Sequence, residues 1–109
     1  MRRPTAVHAD RLEYGQLSLD LRGRRLTVEG SEVELTRVEF DLLALMARRP
    51  GSAVQRGWLA EQVLSPEREG TERTLDVHVS RLRKKLGKYA ACIATVWGVG
   101  YRFDESGAR

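Results

Sequence analysis

The chain has 109 residues, 41% hydrophobic and 31% charged, which suits one folded domain with a single core rather than a disordered tail or a two-lobed enzyme. No apolar run approaches the roughly 20 residues of a membrane-spanning helix, and the basic start Met1-Arg2-Arg3-Pro4 lacks the apolar stretch of a signal peptide. Cys92 is the single cysteine, which excludes an internal disulfide or a cysteine zinc site and makes a reducing, cytoplasmic location the default expectation.

The net charge is +4, and its placement is more informative than its size. Between Thr71 and Lys88 stand the bases Arg73, Arg81, Arg83, Lys84, Lys85 and Lys88 against Glu72 and Asp76. That stretch carries the whole excess, while the rest of the chain balances. A localised basic stripe on a nearly neutral body is the footprint of a nucleic-acid binder, the bland alternative being a solvated helix face.

In chain order, residues 1–10 lack an apolar period and read as a linker. Leu17, Leu19 and Leu21 alternate with polar residues, as in a half-buried strand. With turns at Gly15, Gly23 and Gly30, and further strand residues Leu26, Val28, Val33 and Leu35, the pattern predicts a four-stranded antiparallel meander. At Thr36 the period changes. Thr36-Arg37-Val38-Glu39 is a capping box, with Leu35 and Phe40 placed as its hydrophobic staple. Phe40, Leu42, Leu43, Leu45 and Met46 form the apolar stripe of a first helix, which Pro50-Gly51 ends. A second, shorter helix is expected from Gln55 or Arg56 to Leu64, followed by a polar loop.

The third helix starts near Thr71 to Thr74. Leu75, Val79, Leu82 and Leu86 recur at steps of four, three and four and form one apolar face, with Gly87 just past the end. Arg73, Val77, Ser80, Arg81, Lys84 and Lys88 lie on the opposite side. Ile93 to Val96 and Tyr101 to Phe103 read as a hairpin around Trp97-Gly98-Val99-Gly100. Gly98-Val99-Gly100 is no dinucleotide fingerprint, because no helix follows and Phe103 takes the third glycine's place. Residues 105–109 read as a tail after a domain spanning 11–104.

The predicted fold is therefore α+β, a winged helix-turn-helix with an N-terminal antiparallel four-stranded meander, three helices and a C-terminal β-hairpin wing. The blocks from Leu35 to Leu43, Arg73 to Gly87 and Thr95 to Phe103 resemble the output domain of OmpR/PhoB-type response regulators, with the likeness running from about Leu12 to Phe103. The resemblance implies a bacterial, sequence-specific regulator whose third helix enters the major groove and whose wing approaches the minor groove. It implies double-stranded DNA as partner, direct-repeat half-sites bound by tandem pairs, and a separate receiver domain with a sensor kinase. By position it assigns Arg73, Thr74, Val77, Ser80, Arg81 and Lys84 to the groove and Arg73, His78, Arg83 and Thr95 to phosphate contacts. It makes the 64–72 loop, with Glu67, Arg68 and Glu69, the candidate contact to RNA polymerase.

The chain departs from the family pattern at three places. Trp97 stands where the wing often has Arg, Leu64-Ser65 replaces a common Trp-Gly pair, and Arg37-Val38 fills a stretch that usually holds Pro.

On chemical grounds Arg81, central on the exposed face, is the foremost candidate for bidentate reading of guanine. Val77 suits a thymine methyl or a packing role, and Thr74 and Ser80 suit base or phosphate. Arg83, Lys84, Lys85 and Lys88 would add salt-dependent affinity, and Lys85 and Lys88 could equally serve the helix C-terminus. His78 is either a phosphate donor or a satisfied, partly buried imidazole. Trp97 lies either against the DNA backbone or within the hairpin base.

An enzyme is not expected. His8 and His78 are the only imidazoles, and neither has a carboxylate or thiol constellation around it. No cofactor or metal is implied. A winged helix can also present its helix to protein, but base-reading side chains gathered on the third helix favour DNA; a free-standing regulator without phosphorylation control is the other alternative to a response-regulator output domain.

Overall fold

A computed structural model describes residues 10–65, 67 and 72–109; of the expected linker and loop, residues 1–9, 66 and 68–71 lie outside the described residues. The first four strands are β1 (Arg11–Tyr14), β2 (Leu17–Asp20), β3 (Arg25–Val28) and β4 (Ser31–Val33). They form the expected antiparallel meander in the order β1-β2-β3-β4. Leu19 pairs with Leu26, and Leu26 with Val33. The period-two alternation sends Leu17, Leu19 and Leu26 into the core and leaves Ser18 and Asp20 on the wet side. Leu35 lies beyond the last strand and packs against the core edge.

Helix α1 (Arg37–Ala47) begins where the capping box places it. The Glu39 N–H donates to Thr36 Oγ1 at 3.2 Å, and the Thr36 N–H donates back to Glu39 Oε1 at 2.9 Å. The helix buries Phe40, Leu42, Leu43, Met46 and Ala47. Chain reversal follows at Gly51, whose N–H donates to the Phe103 carbonyl.

A two-residue strand, β5 (Val54–Gln55), precedes α2 (Arg56–Val63), which buries Leu59, Ala60 and Val63. Helix α3 (Glu72–Leu86) then crosses the core with Leu75, Val79, Leu82 and Leu86, all 2% exposed or less. Each such anchor contributes roughly 1.5–3 kcal/mol of hydrophobic stabilisation. A 3-10 segment (Gly87–Cys92) leads into β6 (Ile93–Val96), and β7 (Gly100–Phe103) completes the hairpin.

Three features differ from the sequence expectation. The wing is part of a three-stranded sheet, β5-β7-β6, rather than an isolated hairpin. The turn after α3 is a full 3-10 segment that buries Tyr89 and Cys92. Residues 105–109, expected as a tail, contain a 3-10 turn (Glu105–Ala108) with Ala108 fully buried, and the Ala108 carbonyl accepts from the Gln16 N–H at 2.7 Å. The C-terminus thus packs on the β1–β2 turn, because Gly15 has no Cβ to meet the Ala108 backbone.

Candidate nucleic-acid interface

Helix α3 has two faces with different commitments. Its apolar stripe faces the core. Arg73, Val77, Ser80, Arg81 and Lys84 are exposed on the other side, and Thr74 is half-buried at its edge. Among the described residues, Arg73, Arg81 and Lys84 have no hydrogen-bond or ion-pair partner. Val77 is 44% exposed among them, an apolar side chain set within a cationic face.

The remaining charges of the helix region are tied down. Arg56, at the start of α2, donates from Nε and Nη2 to the two carboxylate oxygens of Asp76, at 3.1 and 2.6 Å. It also reaches Glu72 Oε1 at 3.3 Å. Both acids of α3 are thereby offset by a base from another helix, so the exposed face is left cationic.

Lys85 donates to Glu39 at 2.6 Å, and Lys88 pairs with Glu29 at 2.9 Å. Arg83 donates to the Ile93 carbonyl from Nε and Nη2, at 3.0 and 2.7 Å, and to Thr95 Oγ1 at 2.8 Å. Three of the six bases of the stripe are therefore parts of the scaffold rather than free cations: Arg83, Lys85 and Lys88. Each faces an acceptor brought to it from another segment, and such pairing could not be read from spacing along one helix.

The acid–base pairs also set protonation. The Arg56 hydrogen bond, with that of Tyr101 added, holds the Asp76 carboxyl below its usual value against the effect of burial. Burial, followed by the hydrogen bond to Asp76, pushes the Tyr101 phenol up to about 12. Tyr101 Oη donates to Asp76 Oδ1 at 2.7 Å, so it remains a donor at any ordinary pH.

At the wing tip, the Val99 N–H donates to the Val96 carbonyl at 2.9 Å. Gly98 supplies the left-handed φ of 82° that this turn needs. Gly100 has a different reason to be glycine: a Cβ there would run into the Val54 carbonyl of β5. Trp97 is 89% exposed. Packing in the hairpin base, one of its two sequence-level roles, is thus ruled out.

Tyr101 and Phe103 complete the core as expected. Thr95 is exposed and accepts from Arg83. His78 is half-buried, and among the described residues its buried Nδ1 has no partner. Of the loop candidates, Glu67 is exposed and accepts from Ser65 Oγ at 3.1 Å, while Arg68 and Glu69 lie outside the described residues. Among the described residues no group of three or more His, Cys, Asp or Glu is placed to hold a metal ion. No helix among the described residues is long and apolar enough to cross a membrane.

A helix with a free cationic face, braced beside a β-hairpin, defines a winged helix-turn-helix of the kind transcriptional regulators use. The chain belongs to the family described as "Transcriptional regulatory protein, C terminal", whose model matches residues 30–103; it is an output domain of the OmpR/PhoB type. It is 43% identical over 97 residues to the transcriptional regulatory protein ResD of Bacillus subtilis, covering 85% of this chain and 40% of that protein. It is 38% identical over 99 residues to SrrA of Staphylococcus aureus, covering 87% and 41%. The chain thus spans about two fifths of the curated relatives it matches.

Among solved structures it resembles the response regulator DrrB of Thermotoga maritima, an OmpR/PhoB homolog, with a TM-score of 0.77 at 30% identity, over 87% of this chain and 44% of that one. It also resembles the Klebsiella pneumoniae RstA DNA-binding domain solved in complex with the RstA box, with a TM-score of 0.73 at 31% identity, over 90% and 99%. The family is one of transcriptional regulators and not an enzyme family.

Proposed function

We propose that the chain reads duplex DNA with α3 in the major groove and the wing at the adjacent minor groove, as the output domain of a bacterial response regulator. The observation that carries this reading is the unpaired cationic face of Arg73, Arg81 and Lys84 around Val77 and Ser80, with both acids of α3 held off by Arg56. Arg81 has a guanidinium free for the O6 and N7 of guanine, and the Val77 methyls suit a thymine methyl. Arg73 and Lys84 contribute salt-dependent attraction to phosphates, and Thr74 and Ser80 contact base or phosphate.

His78 donates to a phosphate from Nε2. Its Nδ1 is buried without a partner among the described residues, which leaves Nε2 as the nitrogen able to reach a phosphate. Thr95 and Arg83 line the cleft between α3 and the wing and face the strand that passes between the grooves. Trp97 lies against its sugars.

The same reading places the protein in the cytoplasm, on direct-repeat half-sites as a tandem pair, under a receiver domain and its sensor kinase. The loop around Glu67, Arg68 and Glu69 is its candidate contact to RNA polymerase. The RstA domain solved in complex with its box supports the DNA partner by likeness.

Selection of bound duplexes from a random library tests the proposal. Enrichment of a repeated half-site containing guanine is the expected result. Recovery of no sequence above background, with affinity falling uniformly with salt, would set base reading aside.

A further inference from the structure

The outer half of the wing has no apolar anchor. Tyr101, Ile93 and Phe103 hold its base in the core, but Thr95, Trp97, Gly98 and Val99 are exposed. A groove of about 570 Å³ separates this outer half from α3, lined by Arg56, Asp76, Arg83, Thr95 and Trp97 among others. Two polar ties hold its walls together. At one, Asp76 accepts from Arg56 and from Tyr101 of β7. At the other, Arg83 donates to the Ile93 carbonyl and to Thr95 of β6, with its guanidinium 5.5 Å from the centre of the Tyr101 ring.

We infer that Asp76 and Arg83 are positioning residues that lock the wing to α3 at two points, so that helix and wing meet DNA as one rigid reader. The inference rests on both elements contacting DNA, as proposed above. Positions 76 and 83 are two helical turns apart, about 10 Å along α3. With the base of the wing already held by the core and by β5, two further attachments at that separation fix the angle between α3 and the wing. Charge assistance strengthens both ties, and at the second the planar Arg83 fork also fixes direction. A lysine at 83 carries the charge but not the planar fork that spans the Ile93 carbonyl and the Thr95 hydroxyl.

The test combines Tyr101→Phe, which keeps the ring and removes only the hydroxyl, with Arg83→Lys. In the free chain, spin labels on Lys84→Cys and Val99→Cys report the distance from helix to wing tip. Cys92 is fully buried and its thiol is pushed up to about 12 by burial, so it stays unlabelled. The distance distribution is expected to broaden in the double variant while the circular dichroism of the fold is retained.

On DNA, Trp97→Ala is expected to cost about tenfold in the unaltered chain and less than about twofold in the Tyr101→Phe, Arg83→Lys background, a coupling of the size seen for connected networks. An unchanged distance distribution overturns the lock, and so does an additive cycle. A merely structural role would lower the melting temperature and leave the cycle additive. If instead Arg81→Ala leaves target binding intact, the DNA reading of α3 fails on its own account, independently of the spin-label result.

Discussion

The Nζ of Lys85 in α3 lies 2.6 Å from Oε1 of Glu39, a carboxylate with a side chain 1% exposed that also closes the capping box of α1. One acid therefore starts the first helix and moors the C-terminal end of the third. Burial of Glu39 resists ionisation, but the Lys85 ammonium together with the Thr36 N–H and hydroxyl outweighs it and holds the carboxyl below its ordinary value of 4.5.

Glu39→Ala keeps the backbone half of the capping box and loses the bond from the Thr36 N–H, which is expected to cost about 0.5–1.5 kcal/mol, with further loss from the unpaired Lys85. Glu39→Gln isolates the charge. The folded carboxyl binds its proton less readily than the unfolded one, so its contribution is fully present above about pH 4.5 and is lost as pH falls through the lower folded value. Denaturant titrations of both chains across this range should show the native chain's advantage shrinking on acidification. A constant gap would mean that the pair stabilises little.

Arg81→Ala should weaken binding to the selected site by roughly 1–3 kcal/mol and weaken binding to random duplex much less. Paired titrations at one salt concentration measure this. Equal losses on both DNAs would assign Arg81 to the phosphates instead.

Lys84 and Lys85 are sequence neighbours with opposite commitments, one unpaired and the other held by Glu39. Lys84→Gln is expected to flatten the slope of log affinity against log salt by about 0.9, one phosphate contact. Lys85→Gln should leave the slope unchanged and lower the melting temperature. The reverse pattern would mean that Lys85 leaves Glu39 when DNA binds.

Gly100→Ala sets a methyl against the Val54 carbonyl, and backbone on a paired strand yields little. A loss of about 1–3 kcal/mol is expected, read by chemical denaturation. Val54→Ala, which leaves the carbonyl in place, should not restore it.

Much of this was legible in the chain itself, where the signal is local. The meander follows from alternation at Leu17, Leu19 and Leu26, α1 from Thr36 and Glu39, and the buried face of α3 from the spacing of Leu75, Val79, Leu82 and Leu86. Such patterns survive because each depends on neighbours within one or two turns of the same element. The basic stripe of α3 was equally visible as a composition, and it directed attention to the element with the free cationic face.

What composition could not decide is which of those bases are free. Arg83, Lys85 and Lys88 look the same in sequence as Arg73, Arg81 and Lys84, and only the folded chain brings Ile93, Glu39 and Glu29 to the first three. Asp76 reads as the last acid of a helix until Arg56 and Tyr101 arrive from positions 20 and 25 residues away. A side chain's residue type sets which bonds it can make, but its partners are chosen by packing across elements. In this chain the tertiary structure thus separates the cations of the scaffold from those left to meet a polyanion.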